Sequence, residues 1–185
     1  VGLGYFLSIF KKRKYQNIGE AIMGFGLLFL GLSGLSSVFT PDQLGWMLNI
    51  KGTGASAIIL GFLIGIVVTA LLHSSSAFSA IVITMAYNGL ISWELAAAMT
   101  LGSNVGSTVD SIMASMGTSA NGRRAALIHV MFNLFGTIVV LCFLKPFLDL
   151  VMFITPGQEN SNIAIRISML HTVFNIITTV VMTPL

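Results

Sequence analysis

Residues 71–76 have the sequence LLHSSS, which places three consecutive serines between two apolar runs. A second polar stretch, GSNVGST, occupies residues 102–108 and is also flanked by short apolar segments. Polar clusters at membrane depth are costly, so they usually serve a function. We interpret the two stretches together as a solute site.

The composition predicts a protein that is embedded in a lipid bilayer. Hydrophobic residues make up 55% of the chain, charged residues 8%, and the mean hydropathy is +0.93. A soluble domain carries roughly 25% charged residues. Crossing a hydrocarbon core of ~30 Å takes about 20 helical residues, and apolar runs of suitable length recur along the chain. We therefore predict an all-α integral membrane protein.

The predicted organisation is a single membrane domain over residues 1–185. We expect the chain to be one piece of a larger protein. The stretch 77–91 is short for a span, and 93–117 is cut by Gly102 and Gly106. The predicted parts are the end of a preceding helix with a basic cytoplasmic loop (1–17), a transmembrane helix (18–39), a serine-tipped hairpin (54–91), an interrupted helix (93–117) and transmembrane helices at 125–148 and 163–183.

Basic residues predict the orientation. The cluster KKRK at residues 11–14 is expected in the cytoplasm, which puts residues 40–53 outside and returns Arg123 and Arg124 to the inside. The chain is thus predicted to be a multi-pass protein of the cytoplasmic membrane. Its isoelectric point of about 9.3 reflects membrane insertion, so nucleic acid is not an expected partner. Charge leaves open whether 54–91 crosses the bilayer or only re-enters it.

The serine stretch favours an oxyanion. A helix that ends near Leu72 and another that begins near Ala77 would put Ser74 to Ser76 at a tip. Serine is a good helix N-cap, and the first amide groups of the second helix are free to bind. Free N–H groups, the positive end of a helix dipole and hydroxyl donors bind an anion without a fixed positive charge.

The second polar stretch favours a cation. Gly102 and Gly106 permit either close backbone approach or unwinding. Backbone carbonyls and nearby side-chain oxygens are ligands that a sodium ion prefers, and the side chains here are Ser103, Asn104, Ser107 and Thr108. The alternative for both stretches is that small polar residues serve only as contacts between helices.

The two stretches resemble a known family in combination. HSSS at 73–76 and GSNVGST at 102–108 look like the paired signature of the type II sodium-phosphate cotransporter family, Gln-Ser-Ser-Ser and Gly-(Ala/Ser)-Asn-Ile-Gly-Thr-Thr. The likeness continues through RRAALIHVMFN at 123–133, which is similar to the Arg-x-Ala-x-x-His-x-x-Phe-Asn helix of bacterial members, and through HTVFN at 171–175. GFGLLFLGL at 24–32 resembles the glycine-rich helix before the hairpin.

This resemblance implies an inverted-repeat secondary transporter, with a re-entrant helical hairpin and a broken transmembrane helix. The chain carries the signature once, so it resembles one repeat, of the C-terminal kind, of a two-repeat transporter. Its half site would be completed by the other repeat or by a second copy in a homodimer. The implied function is sodium-coupled symport of inorganic phosphate by alternating access, with Na⁺ as the coupling ion and no cofactor.

The resemblance and the chemistry of the residues together predict the site. Those expected to contact phosphate are Ser74, Ser75, Ser76 and Asn104. Those expected to contact sodium are His73, Ser74, Ser103, Asn104, Ser107, Thr108 and Asp110. Two of them depart from the family pattern: His73 replaces the usual glutamine, and Asp110 stands where a small hydroxyl or apolar residue is usual. Asp110 is interpreted as a site for cation or proton coupling, with a hydrated vestibule or a structural pair as the alternative.

Other functions have weaker support. The sequence contains no nucleotide-binding glycine loop and no carboxylate pair that could share acid and base roles. Nothing in it therefore supports an enzyme. His129 with Asn133 and His171 with Asn175 are four residues apart, and helix-to-helix hydrogen bonding is favoured over a metal site there. The open alternatives are a sodium-coupled transporter of another small anion and a non-transporting sensor or assembly subunit.

Overall fold

A computed structural model describes residues 1–10, 12–38, 54–155, 157 and 162–184. These residues form α-helices joined by short connections, with no strand among them. The chain divides into two compact units, Val1–Thr40 and Pro41–Leu185. The predicted loop 40–53, Lys11 of the basic cluster and residue 39 of the predicted span 18–39 lie outside the described residues. The single membrane domain over 1–185 stays a prediction.

The first unit contains α1 (Gly2–Ser8) and α2 (Arg13–Val38). Glycines bring the two backbones together: a Cβ added to Gly4 would overlap the backbone of Met23, and one added to Gly19 would overlap the backbone of Ser8. Small residues allow such close approach between membrane helices. The two helices therefore pack through their backbones rather than through interlocking side chains.

The second unit contains the remaining described helices. They are α3 (Ala55–Leu72), α4 (Ser75–Tyr87), α5 (Trp93–Gly106), α6 (Thr108–Ser115), α7 (Ala120–Cys142), α8 (Leu144–Ile154) and α9 (Ile163–Met182). Among the described helices, α3, α7 and α9 are long and apolar enough to cross a membrane. Helix α4 has 13 residues. At ~1.5 Å per residue it is about 20 Å long, which is shorter than a bilayer core of ~30 Å.

Helix α5 forms the core of the second unit. Every residue from Leu95 to Asn104 is buried. Helix α9 presents Ile167, Leu170 and Phe174 as buried apolar residues. Their spacing of three and four residues places them on one helix face, which is the pattern of a helix that packs along one side. The polar residues on α5 are therefore enclosed by protein.

Helices α3 and α5 make the closest contact of the unit. A Cβ added to Gly65 would overlap the carbonyl oxygen of Met99, and one added to Gly102 would overlap the carbonyl oxygen of Phe62. Gly106 likewise approaches Ile66, whose carbonyl oxygen would lie 2.6 Å from an added Cβ. Of the two roles considered for Gly102 and Gly106, the structure therefore has close backbone approach. Helix α5 stays wound through both glycines.

The interruption predicted within 93–117 is confined to Ser107. Helix α5 ends at Gly106 and α6 begins at Thr108, while Ser107 keeps helical dihedral angles, φ −65° and ψ −17°. Its N–H still donates to the carbonyl oxygen of Ser103 at 3.0 Å. The interruption therefore does not open a long stretch of unpaired backbone groups.

The segment predicted as one helix at 125–148 is two helices with different bounds. Helix α7 begins at Ala120, because the hydroxyl of Ser119 caps it by accepting a hydrogen bond from Gly122 N–H at 3.5 Å. Phe143, with φ −114° and ψ 35°, separates α7 from α8. Pro146 then lies in the first turn of α8, where the missing N–H costs no intrahelical hydrogen bond. In a helix that continued through residue 146, the missing N–H would have cost the hydrogen bond to the carbonyl group four residues back.

Candidate solute-binding site

The turn between α3 and α4 carries the serines. His73 adopts the left-handed region, with φ 51° and ψ 29°, and ends α3. Ser74 is extended and caps α4, since its Oγ accepts a hydrogen bond from Ala77 N–H at 3.2 Å. Helix α4 thus begins at Ser75, two residues earlier than the start predicted near Ala77. Ser75 and Ser76 belong to the first turn of α4, and only Ser74 forms the cap.

Ser75 and Ser76 line a cavity of about 440 Å³ between α4 and α9. Its other polar lining residues are Ser79, Ser168 and His171, which sequence reasoning did not assign to a site. The spacing of Ser75 and Ser79 is a signal for a shared helix face. No comparable local signal connects them with α9, because that contact arises only from packing.

Asn104 on α5, a predicted contact of both phosphate and sodium, is buried and keeps an unused hydrogen-bond donor. Asn104 is 4% exposed, and its Nδ2 has no hydrogen-bond partner within the described residues. An unsatisfied buried donor costs about 1–3 kcal/mol. Such a group is a candidate for contact with a bound solute or ion.

The other residues of the second polar stretch use their hydroxyl protons locally. Ser107 Oγ donates to the Asn104 carbonyl oxygen at 2.9 Å, and Thr108 Oγ1 donates to the Val105 carbonyl oxygen at 2.7 Å. Both oxygens keep lone pairs that could face a cation. Ser103 instead accepts a hydrogen bond from Thr69 Oγ1 at 2.9 Å and is fully buried between α3 and α5.

The two residues that depart from the expected signature contact each other. His73 Nδ1 lies 2.5 Å from Asp110 Oδ1, and their side chains are 53% and 45% exposed. Together with the Thr69–Ser103 hydrogen bond, this pair joins α3 to the α5–α6 segment. The structure therefore brings the serine turn beside the second polar stretch, although none of the described residues lining the 440 Å³ cavity comes from that stretch.

We expect a small energetic coupling between His73 and Asp110. Exposed ion pairs typically contribute about 0.2–1 kcal/mol, because water screens them and two side chains must be held still. A double-mutant cycle of His73→Ala, Asp110→Ala and the double variant, followed by thermal unfolding in detergent, measures the coupling. A value above about 2 kcal/mol would contradict the exposed environment, since coupling of that size is typical of pairs withdrawn from water.

The two His-x-x-Phe-Asn segments make hydrogen bonds. Asn133 Nδ2 donates to the His129 carbonyl oxygen at 3.0 Å, and Asn175 Nδ2 donates to the His171 carbonyl oxygen at 2.8 Å. His129 Nδ1 also lies 2.6 Å from Ser111 Oγ, which connects α7 to α6. The asparagines thus bond back along their own helices, and the contact between helices comes from the first histidine.

Comparison with known proteins identifies a family for most of the chain. Residues 47–179 match the model of the Na⁺/Pi-cotransporter family. The uncharacterized protein YqeW of Bacillus subtilis is 29% identical over 100% of this chain and 58% of its own length. A Salmonella typhimurium protein provisionally named inorganic phosphate export protein YjbB is 30% identical over 82% of this chain and 28% of its length.

A mammalian relative matches a shorter stretch of the chain. Sodium-dependent phosphate transport protein 2C of Rattus norvegicus is 38% identical over 49% of this chain and 16% of its own length. The chain therefore spans 58% of the Bacillus protein and less than a third of the Salmonella and rat proteins. No solved structure matches the chain.

Proposed function

The chain belongs to the Na⁺/Pi-cotransporter family, and on that premise we propose that it forms part of a secondary transporter that carries inorganic phosphate with sodium. The family is one of membrane transporters rather than enzymes, and the three long apolar helices agree with it. We propose that the protein crosses the cytoplasmic membrane several times.

The observation that supports phosphate most directly is the wall that α4 presents to the cavity. Ser75 and Ser76 lie in the first turn of α4, where the backbone N–H groups have no partner within the helix, and both side chains line the cavity. Hydroxyl donors at the positive end of a helix suit an oxyanion. We assign phosphate contact to Ser74, Ser75, Ser76 and Asn104.

The proposed sodium site lies beside the turn. The side chains of Ser107 and Thr108 keep free lone pairs, and Asp110 brings a carboxylate to α6, with His73 against one of its oxygens. Oxygen ligands of this kind suit a hard cation. Sodium bound here would offset the charge of the anion, because no lysine or arginine is among the described residues that line the cavity.

Alternating access requires a second half of the site. We propose that a related inverted repeat, or a second copy of this one, faces the serine turn and closes the cavity, with the α3–α4 hairpin re-entering the membrane. The short α4 supports this arrangement, because its 13 residues are too few to cross a bilayer of ~30 Å alone. Solute binding and ion binding would then stabilise one arrangement of the two halves over the other.

The test is uptake of radiolabelled phosphate by proteoliposomes that contain the complete protein, with and without an inward sodium gradient. We expect accumulation that depends on sodium and is absent with an equal potassium gradient. Because the Salmonella relative is named for export, efflux from phosphate-loaded vesicles is measured in parallel. Folded protein that neither accumulates nor releases phosphate would overturn the proposal, and competition by other anions would then identify a different solute.

A further inference from the structure

The cavity between α4 and α9 has two walls of different chemistry. Helix α4 contributes Ser75, Ser76 and Ser79, and α9 contributes Ser168 and His171. The remaining lining residues are Ala80, Ile83 and Ile167. No carboxylate, lysine or arginine is among the described residues that line it. Hydrogen bonding rather than a fixed charge must therefore distinguish one anion from another here.

The α4 wall donates. The hydroxyl protons of Ser75 and Ser79 form no hydrogen bond with the described part of the chain, so they are available to an anion. Ser76 Oγ shares a hydrogen bond with Ser74 Oγ at 3.2 Å. A serine hydroxyl has one proton and two lone pairs, and a free one rotates to suit its partner. This wall can satisfy the unprotonated oxygens of phosphate.

The α9 wall accepts. Ser168 Oγ donates its proton to the Ala164 carbonyl oxygen at 2.9 Å, so only lone pairs remain for the cavity. The His171 ring makes no hydrogen bond with the described residues, although its backbone carbonyl accepts from Asn175. A neutral imidazole has one donor nitrogen and one acceptor nitrogen. Apart from one imidazole N–H, the α9 wall therefore offers lone pairs, on Ser168 Oγ and on the second ring nitrogen of His171, and an anion without a proton cannot use these acceptors.

This asymmetry matches a protonated oxyanion. Phosphate keeps at least one P–OH group at neutral pH, whereas sulfate of nearly the same size and shape has none. We propose that His171, with Ser168 beside it, is the specificity-determining residue that accepts the hydrogen bond from the P–OH group of phosphate and thereby excludes sulfate. The inference rests on the proposed function. A site built to bind a substrate hydroxyl rejects an analogue that lacks it, because its own polar groups are left unpaired.

The test compares His171→Leu and His171→Gln in the complete protein reconstituted into vesicles. The quantities measured are the KM and kcat for phosphate and the inhibition constants of sulfate and arsenate. Arsenate also carries hydroxyl groups, so it should inhibit the wild type as a phosphate analogue. In His171→Leu we expect the ratio of the sulfate inhibition constant to the phosphate KM to fall at least about tenfold, the effect of one lost hydrogen bond to a charged group. His171→Gln keeps an acceptor and should retain most of the selectivity.

The matched control is His129→Leu, the same change in the other His-x-x-Phe-Asn segment, whose side chain contacts Ser111 outside this cavity. Its selectivity ratio should stay at the wild-type value. If His171→Leu does not fold, Ser168→Ala removes a second acceptor and should lower the same ratio. An unchanged ratio in folded His171→Leu or Ser168→Ala, with active wild type, would overturn this inference alone. Wild type that neither transports nor binds phosphate would instead overturn the proposed function.

Discussion

Gly102→Val is expected to remove the folded protein from the membrane fraction. A Cβ at position 102 overlaps the carbonyl oxygen of Phe62 and comes within 3.1 Å of the Cα of Gly65. Both obstacles are backbone atoms of α3, so no rotamer change can make room. Overpacking a core costs about 1–3 kcal/mol when side chains can adjust, and we expect a larger cost where the added side chain meets backbone atoms.

The measurement is the yield of monodisperse protein on size-exclusion chromatography, followed by the midpoint of thermal unfolding. Gly102→Ala carries only the Cβ and should give an intermediate loss. Gly24→Val is the matched control, since nothing lies within 4 Å of a Cβ added there. Wild-type yield and midpoint for Gly102→Val would contradict the close packing of α3 on α5.

Ser75→Ala should lower sodium-dependent phosphate uptake by about a hundredfold while leaving the amount of folded protein unchanged. The hydroxyl lies in the first turn of α4 and lines the cavity. A hydrogen bond to a charged group contributes up to about 3 kcal/mol, which corresponds to that loss. Alanine suits a helix well, and Ser74 rather than Ser75 caps α4, so the turn itself keeps its structure.

Uptake rates at several phosphate concentrations, normalised to folded protein, separate weaker binding from slower transport. Ser8→Ala serves as the control, because that hydroxyl donates only to the Tyr5 carbonyl oxygen of its own helical turn, at 2.7 Å. Wild-type uptake by Ser75→Ala would remove Ser75 from the phosphate site. If Ser75→Ala needs more sodium for uptake but keeps the wild-type affinity for phosphate, Ser75 belongs to the cation site instead.

Sequence reasoning found the features that short-range chemistry determines. The end of α3 at Leu72 and the capping role of serine follow from preferences that act within one helical turn. The family resemblance rested on the same two polar stretches, and the family match over residues 47–179 confirms it. The site roles of individual residues stay predictions.

Features that depend on packing could not be read from the chain. The contact between His73 and Asp110 joins residues 37 positions apart, and no local pattern indicates that they meet. His171 reaches the site only because α9 packs beside α4. The break at Phe143 differs, because hydropathy stays high through it and only Pro146 marks it locally.

The glycine contact between α3 and α5 also limits how this molecule can change shape. Sliding α5 along α3 by three residues, about 4.5 Å, would bring the side chain of Met99, which lies on the same face of α5, to the place where Gly102 now meets Phe62. The register between α3 and α5 is consequently fixed, and we expect the two helices to move together as one rigid body. We expect a rearrangement that moves the serines of α4 relative to α5 to change the backbone at His73, the residue in the left-handed region between α3 and α4.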